Sequence, residues 1–176
     1  MASINGLYEK GFDRWEFLPG MRFGDREKWW GTGGLRAFPH EGVDLCLFRD
    51  TRGKLHAMQG TIRIPVMYDG IIVKTGSDFL GRSIFFRHEC FDAGGRVLHT
   101  VFGHTRPCHV FRYEHPVKQG EIIAEIAETG NSNIPPHLHI TAAWIPASMS
   151  SAGLDWETLG RSREILLFDP LTAVKG

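Results

Sequence analysis

His137-Leu138-His139-Ile140-Thr141-Ala142-Ala143-Trp144 is the stretch on which the fold turns. Side chains alternate along an extended chain, so residues two apart share a face. Read as a strand, the segment sets the imidazoles of His137 and His139 side by side and sends Leu138 into the opposite layer. Such a pair can supply two metal ligands, one ligand beside an acid–base group, or two half-exposed strand histidines. Outward from it, segments 61–67, 70–75, 82–88, 96–102 and 121–126 are also rich in β-branched and aromatic residues. Between them lie the turn signals Tyr68-Asp69-Gly70, Ala93-Gly94-Gly95, Lys118-Gln119-Gly120 and Gly130-Asn131-Ser132. Many short strands at this spacing indicate a mainly β, sandwich-like or barrel-like architecture. Long helical periodicity is absent. One short helix is expected around 154–159, capped by Ser150 or Ser151.

The chain has 176 residues, with 20 Lys+Arg against 20 Asp+Glu, which fits one domain of no net charge. Nucleic acid and anionic membrane surfaces are therefore not expected as obligatory partners, since both call for a positive field. No apolar run approaches a membrane span, and the first residues lack the basic and apolar regions of a signal peptide. Cys46, Cys90 and Cys108 form an odd, sparse set without CxxC spacing, read as thiols rather than a disulfide framework or a cysteine zinc site.

Two further segments join the HxH pair. In His40-Glu41-Gly42-Val43-Asp44 an imidazole and a carboxylate stand four apart, and Gly42 favours a bent strand entry over a continuous helix. Both groups suit Zn²⁺, although a turn histidine beside a capping aspartate would read the same way. If this stretch is extended, Glu41 points away from both. The third is Gly103-His104, closing a strand, which alone says little.

Taken together, H-x-x-x-D, G-H and Thr129-Gly130-Asn131-Ser132 leading to Pro136-His137-Leu138-His139 resemble the lysostaphin/LytM-type zinc metallopeptidases, peptidase family M23. The resemblance runs from about Arg36 to Val174. It takes in Asp69-Gly70-Ile71-Ile72-Val73, a strand ending at His88, Val117-Lys118-Gln119-Gly120-Glu121-Ile122-Ile123 and Asp169-Pro170-Leu171. It implies a single antiparallel sheet or sandwich-like domain of the duplicated hybrid-motif type, with a groove. It implies one zinc ion per chain held by His40, Asp44 and His139, with His104 and His137 as catalytic histidines. The implied reaction is hydrolysis of peptide bonds in peptidoglycan cross-bridges or stem peptides, or of a small peptide, by water that the metal activates. The alternative is a non-catalytic zinc-binding module that binds or regulates cell-wall hydrolases.

The chain departs from the family pattern in places. Ile134-Pro135 stiffens a stretch that is usually small and flexible, Glu128 replaces a glycine and is expected near the groove wall, and Phe102 stands where tyrosine is frequent. Cys46 is read as packing and His88 as structural. His56, His99, His109 and His115 are read as surface or locally bonded residues, with His99 on the face opposite His104. The expected division is an irregular segment over 1–35, whose aromatics plug the core or touch substrate, and a peptidase domain over 36–176.

Overall fold

A computed structural model describes residues 1–59, 61–130 and 133–172. Asn131, Ser132 and residues 173–176, which carry part of the expected turn and of the family resemblance, lie outside the described residues. Twelve strands account for most of the regular structure among the described residues. They are β1 (Phe12–Glu16), β2 (Val43–Leu45), β3 (Leu47–Asp50), β4 (Leu55–Ala57), β5 (Arg63–Pro65), β6 (Gly70–Ser77), β7 (Arg82–Phe91), β8 (Arg96–Pro107), β9 (His115–Val117), β10 (Ile122–Ile126), β11 (Leu138–Pro146) and β12 (Leu166–Phe168). One α-helix, α1 (Trp156–Arg161), follows β11.

The strands pair antiparallel throughout. The larger sheet runs β12-β11-β8-β7-β6-β9, with β2 added to β11 and β10 bridging β8 and β5. The smaller one is β1-β3-β4. Alternation along β8 and β11 splits the interior in two. Phe102 and Leu138 join Ile64, Ile72, Ile84 and Phe86 on one face; Val101 and Ala143 join Phe85, Ile145, Leu154 and Leu159 on the other. Leu138 therefore enters the layer opposite His139, as alternation requires.

Local chemistry accounts for the turns. Asp92 accepts hydrogen bonds from the backbone N–H groups of Gly94 and Arg96, and Gly95 supplies the positive φ that closes the β7–β8 hairpin. Asp155, rather than Ser150 or Ser151, caps α1 by accepting from the Thr158 N–H, while Ser150 caps a preceding 3₁₀ turn. The segment expected to be irregular contains β1, which pairs with β3, and a 3₁₀ turn at Ser3–Asn5. Short strands such as β1 and β9 have too few residues for a period-2 pattern to emerge from the sequence. Among the described residues no helix is long and apolar enough to cross a membrane.

Candidate metal centre

Strand register creates the site. Asp44 of β2 stands opposite His139 of β11, and His139 stands opposite Gly103 of β8 on its other side. Residues 95 positions apart in the chain thus fall in one row. Gly42 permits the approach of β2, because a Cβ there would lie 2.1 Å from the Ile140 carbonyl oxygen. The backbone bends at residues 41–42 and carries His40 back over the same face. Gly103 does similar work beside β8: a Cβ there would come within 3.1 Å of the Trp156 ring and 3.4 Å of His139 Cβ. Its absence admits the Trp156 indole edge-on to His139, with centroids 5.1 Å apart.

The donor atoms converge. His40 Nε2 lies 3.2 Å from His139 Nδ1 and 3.3 Å from Asp44 Oδ1, and His139 Nδ1 lies 2.8 Å from that same oxygen. A tetrahedral zinc site with bonds near 2.0–2.1 Å has ligand–ligand edges of about 3.3 Å, so this spacing and donor set fit the ion. All three residues are buried, and they are the one group of His, Cys, Asp or Glu among the described residues that could hold a metal. Each one's remaining polar atom is engaged. His40 Nδ1 donates to the Arg22 carbonyl at 3.1 Å, His139 Nε2 pairs with Thr141 Oγ1 at 2.9 Å, and Asp44 Oδ2 accepts from Trp29 Nε1 at 2.6 Å. The Arg22 carbonyl makes Nδ1 of His40 a donor, whereas the Thr141 hydroxyl can donate or accept, and these outer partners orient the two rings. Burial by itself would raise the Asp44 pKa, but hydrogen bonds from His139 and His40 outweigh it and hold the carboxyl well below its usual range. Burial would likewise lower the His139 pKa, and Asp44 more than reverses this. Asp44 and His139 thus stabilise each other's charged forms.

His104 and His137 adjoin this group, their rings 4.7 Å apart. His137 Nδ1 donates to the Pro135 carbonyl at 2.8 Å, leaving Nε2 at 3.7 Å from Asp44 Oδ1. Burial pushes its pKa down to about 4, so the ring is neutral at pH 7. His104 has a different partner. Its Nδ1 lies 3.1 Å from Asp78 Oδ1, and its backbone N–H donates to Asp78 Oδ2 at 2.9 Å. That double contact holds His104 at φ +60°, a left-handed conformation inside β8. Asp78 also accepts from Leu80 N, Gly81 N and Ser83 Oγ, so the β6–β7 turn and the histidine share one anchor. Above these side chains opens a cleft of about 250 Å³, walled by Trp30, Phe79, Ile134 and Trp156.

All five expected residues therefore lie in one place, although β11 starts after His137 and β8 runs past His104. Several neighbours differ from expectation. Glu41 does not point away: the bend turns it into the cleft, with Oε1 4.0 Å from His139 Nε2. Glu128 is exposed beside Arg82 and Arg106, away from the cleft wall. Phe102 is buried in the core on Phe86. Cys46 is buried, with burial raising its thiol pKa to about 12, in keeping with packing. His88 is buried between the Asp69 carbonyl and Thr100 Oγ1. His99 is locally bonded, as one of the two expected possibilities had it: it is buried, donates to the Val97 carbonyl, and leaves Nε2 without a partner among the described residues. The sequence reading missed Trp29, Arg22, Asp78 and Thr141. Only Thr141, two along the strand from His139, could have been found by alternation.

The family model of peptidase family M23 matches residues 39–148, more than half of the chain and all five site residues. The chain belongs to peptidase family M23, a family of peptide-bond hydrolases. No curated protein matches it by sequence. Similar solved structures include a mutant catalytic domain of the prophage-encoded M23 protein EnpA from Enterococcus faecalis, with 18% identity over 72% of this chain and 83% of that one, at a TM-score of 0.42. LytU has 20% identity over 74% of this chain and 79% of that one, at 0.42. The antimicrobial peptidase lysostaphin from Staphylococcus simulans has 20% identity over 82% of this chain and 53% of that one, at 0.46. The chain thus spans about half the length of that lysostaphin.

Proposed function

We propose that the chain is a zinc-dependent endopeptidase that cleaves peptide bonds of peptidoglycan, with His40, Asp44 and His139 as metal ligands and His104 and His137 as catalytic histidines. The observation that carries this reading is the three-atom donor cluster, 2.8–3.3 Å on its edges, lying beside two buried histidines with dissimilar partners. When bound there, zinc would supply Lewis acidity, lowering the pKa of water toward about 7 and polarising a carbonyl.

The two histidines divide the remaining work. With Nδ1–H committed to a backbone carbonyl, His137 presents an unprotonated Nε2 to the cleft and serves as proton acceptor. His104 is held at Nδ1 by the Asp78 carboxylate and lines the cleft beside His137. It is assigned the second role, steadying negative charge that develops on the scissile carbonyl oxygen. The aromatic walls of the small cleft suit an extended peptide of little side-chain bulk, such as one of glycine or D-alanine, laid against flat rings. Membership of this peptidase family supports a cell-wall substrate.

The test is zinc content of purified protein together with hydrolysis of purified peptidoglycan before and after chelation. About one zinc per chain is expected. Cleavage should be lost with chelator, restored by zinc, and abolished in His139→Ala. Zinc without cleavage of any wall type would overturn the peptidase reading in favour of a binding module; protein that takes up no zinc would overturn the ligand assignment.

A further inference from the structure

We propose that residues 20–38, which precede the part of the chain matched by the family model, form a strap that completes the metal site, with Trp29 as the positioning residue for Asp44. The inference rests on the reading of His40, Asp44 and His139 as metal ligands.

The two oxygens of Asp44 have separate neighbours. Oδ1 faces His40 and His139, while Oδ2 accepts from the Trp29 indole N–H at 2.6 Å and lies 3.5 Å from the Arg36 guanidinium. A buried carboxylate needs its lone pairs occupied, and an ion approached through Oδ1 would leave Oδ2 wanting a donor. An indole N–H is well suited to this. It donates only, so it cannot compete for the metal, and it carries no charge to repel one. With Oδ2 occupied in this way, Asp44 has one oxygen to offer rather than two, which keeps coordination positions free for water and substrate. The same indole stands edge-on to His137, with centroids 5.0 Å apart, so one side chain sets a ligand and a catalytic histidine in relation to each other.

The strap is built to hold that indole still. Arg36 donates to the carbonyls of Gly20 and Glu27 and stacks over Trp30 at 4.3 Å, tying the two ends of the loop. Backbone hydrogen bonds run from Gly24 N to the His40 carbonyl, from His40 N to the Asp25 carbonyl and from Asp44 N to the Met21 carbonyl. Arg22 adds the carbonyl that orients the His40 ring. Two of the three proposed ligands are therefore oriented from outside residues 39–148, and His139 is oriented from within them by Thr141. Trp29 and Trp30 stand edge to face, so the strap also carries the cleft wall that Trp30 forms.

The experiment uses the full chain and Trp29→Phe, which keeps an aromatic ring but deletes the N–H. Zinc affinity is measured by competition with a chromophoric chelator, beside kcat, KM and the melting midpoint of the metal-free protein. Loss of an outer partner of a metal ligand weakens binding by about 10- to 100-fold. That loss is expected in Trp29→Phe, with kcat falling more than KM changes. Trp144→Phe, whose ring stacks on Phe168 instead, should keep wild-type zinc affinity. Zinc affinity within about twofold of wild type in Trp29→Phe would overturn the proposal, while failure of the wild-type chain to bind zinc would overturn the ligand reading beneath it. If Trp29→Phe does not fold, Arg36→Met removes the second group at Oδ2 and should weaken zinc in the same direction; unchanged affinity there would equally overturn the strap.

Discussion

Replacing Gly42 with alanine tests the link between fold and site with one methyl group. Gly42 sits between His40 and Asp44, where its φ is unexceptional and only space demands glycine. A Cβ would meet the Ile140 carbonyl oxygen at 2.1 Å and His139 Nε2 at 2.8 Å. The nearer atom is backbone, so no rotamer change relieves the overlap. Reaching van der Waals contact requires β2 to retreat from β11 by about 1–1.5 Å. The His40–His139 and Asp44–His139 donor separations, now 3.2 and 2.8 Å, would open with it, beyond what a tetrahedral ion spans. Overpacking and loss of the β2–β11 pairing together predict destabilisation of about 3 kcal/mol or more. Urea unfolding reads the stability, and chelator competition reads the zinc affinity. Gly76→Ala is the control, because nothing lies within 4 Å of a Cβ there; it should stay within about 0.5 kcal/mol of wild type. A Gly42→Ala protein with the wild-type urea midpoint and wild-type zinc affinity would refute the argument.

Asp78→Asn keeps an acceptor for the turn but removes the charge behind His104; kcat should fall about 10- to 100-fold with KM nearly unchanged, and equal kcat would remove His104's dependence on Asp78. His99 is buried with Nε2 unpartnered among the described residues, and burial lowers its pKa from 6.5 to about 4. As pH falls, the unfolded chain takes up this proton first, so the stability due to neutral His99 is full above about 6.5 and is lost between about 6.5 and 4. His99→Leu should match or exceed wild-type stability at pH 7 and flatten that acid limb in unfolding curves measured across the window; an unchanged slope would contradict it. Gly160→Ala in α1 adds a Cβ into open space and should stabilise by about 0.5–1 kcal/mol in thermal unfolding, a loss of stability being the contrary result.

Sequence alone determined the mainly β architecture, because alternation and turn residues act over a few positions. The strands expected at 70–75, 82–88, 96–102 and 137–144 lie within or against β6, β7, β8 and β11. It also determined the five residues of the candidate site, through a pattern of types and spacings that resembles one peptidase family. Tertiary structure decided what no spacing encodes. Register across β2, β11 and β8 set Asp44 against His139, a pairing over 95 positions that two glycines allow by what they lack. The bend at 41–42 turned Glu41 into the cleft, where an extended reading had sent it away. The tertiary fold also gave His104 and His137 unlike partners, a carboxylate from the β6–β7 turn, which has no motif of its own, for one and the carbonyl of Pro135, two residues back, for the other. Trp29 reaches Asp44 by the same principle: hydrogen bonds depend on where the fold brings donor and acceptor, whereas strand period depends on neighbours in the chain.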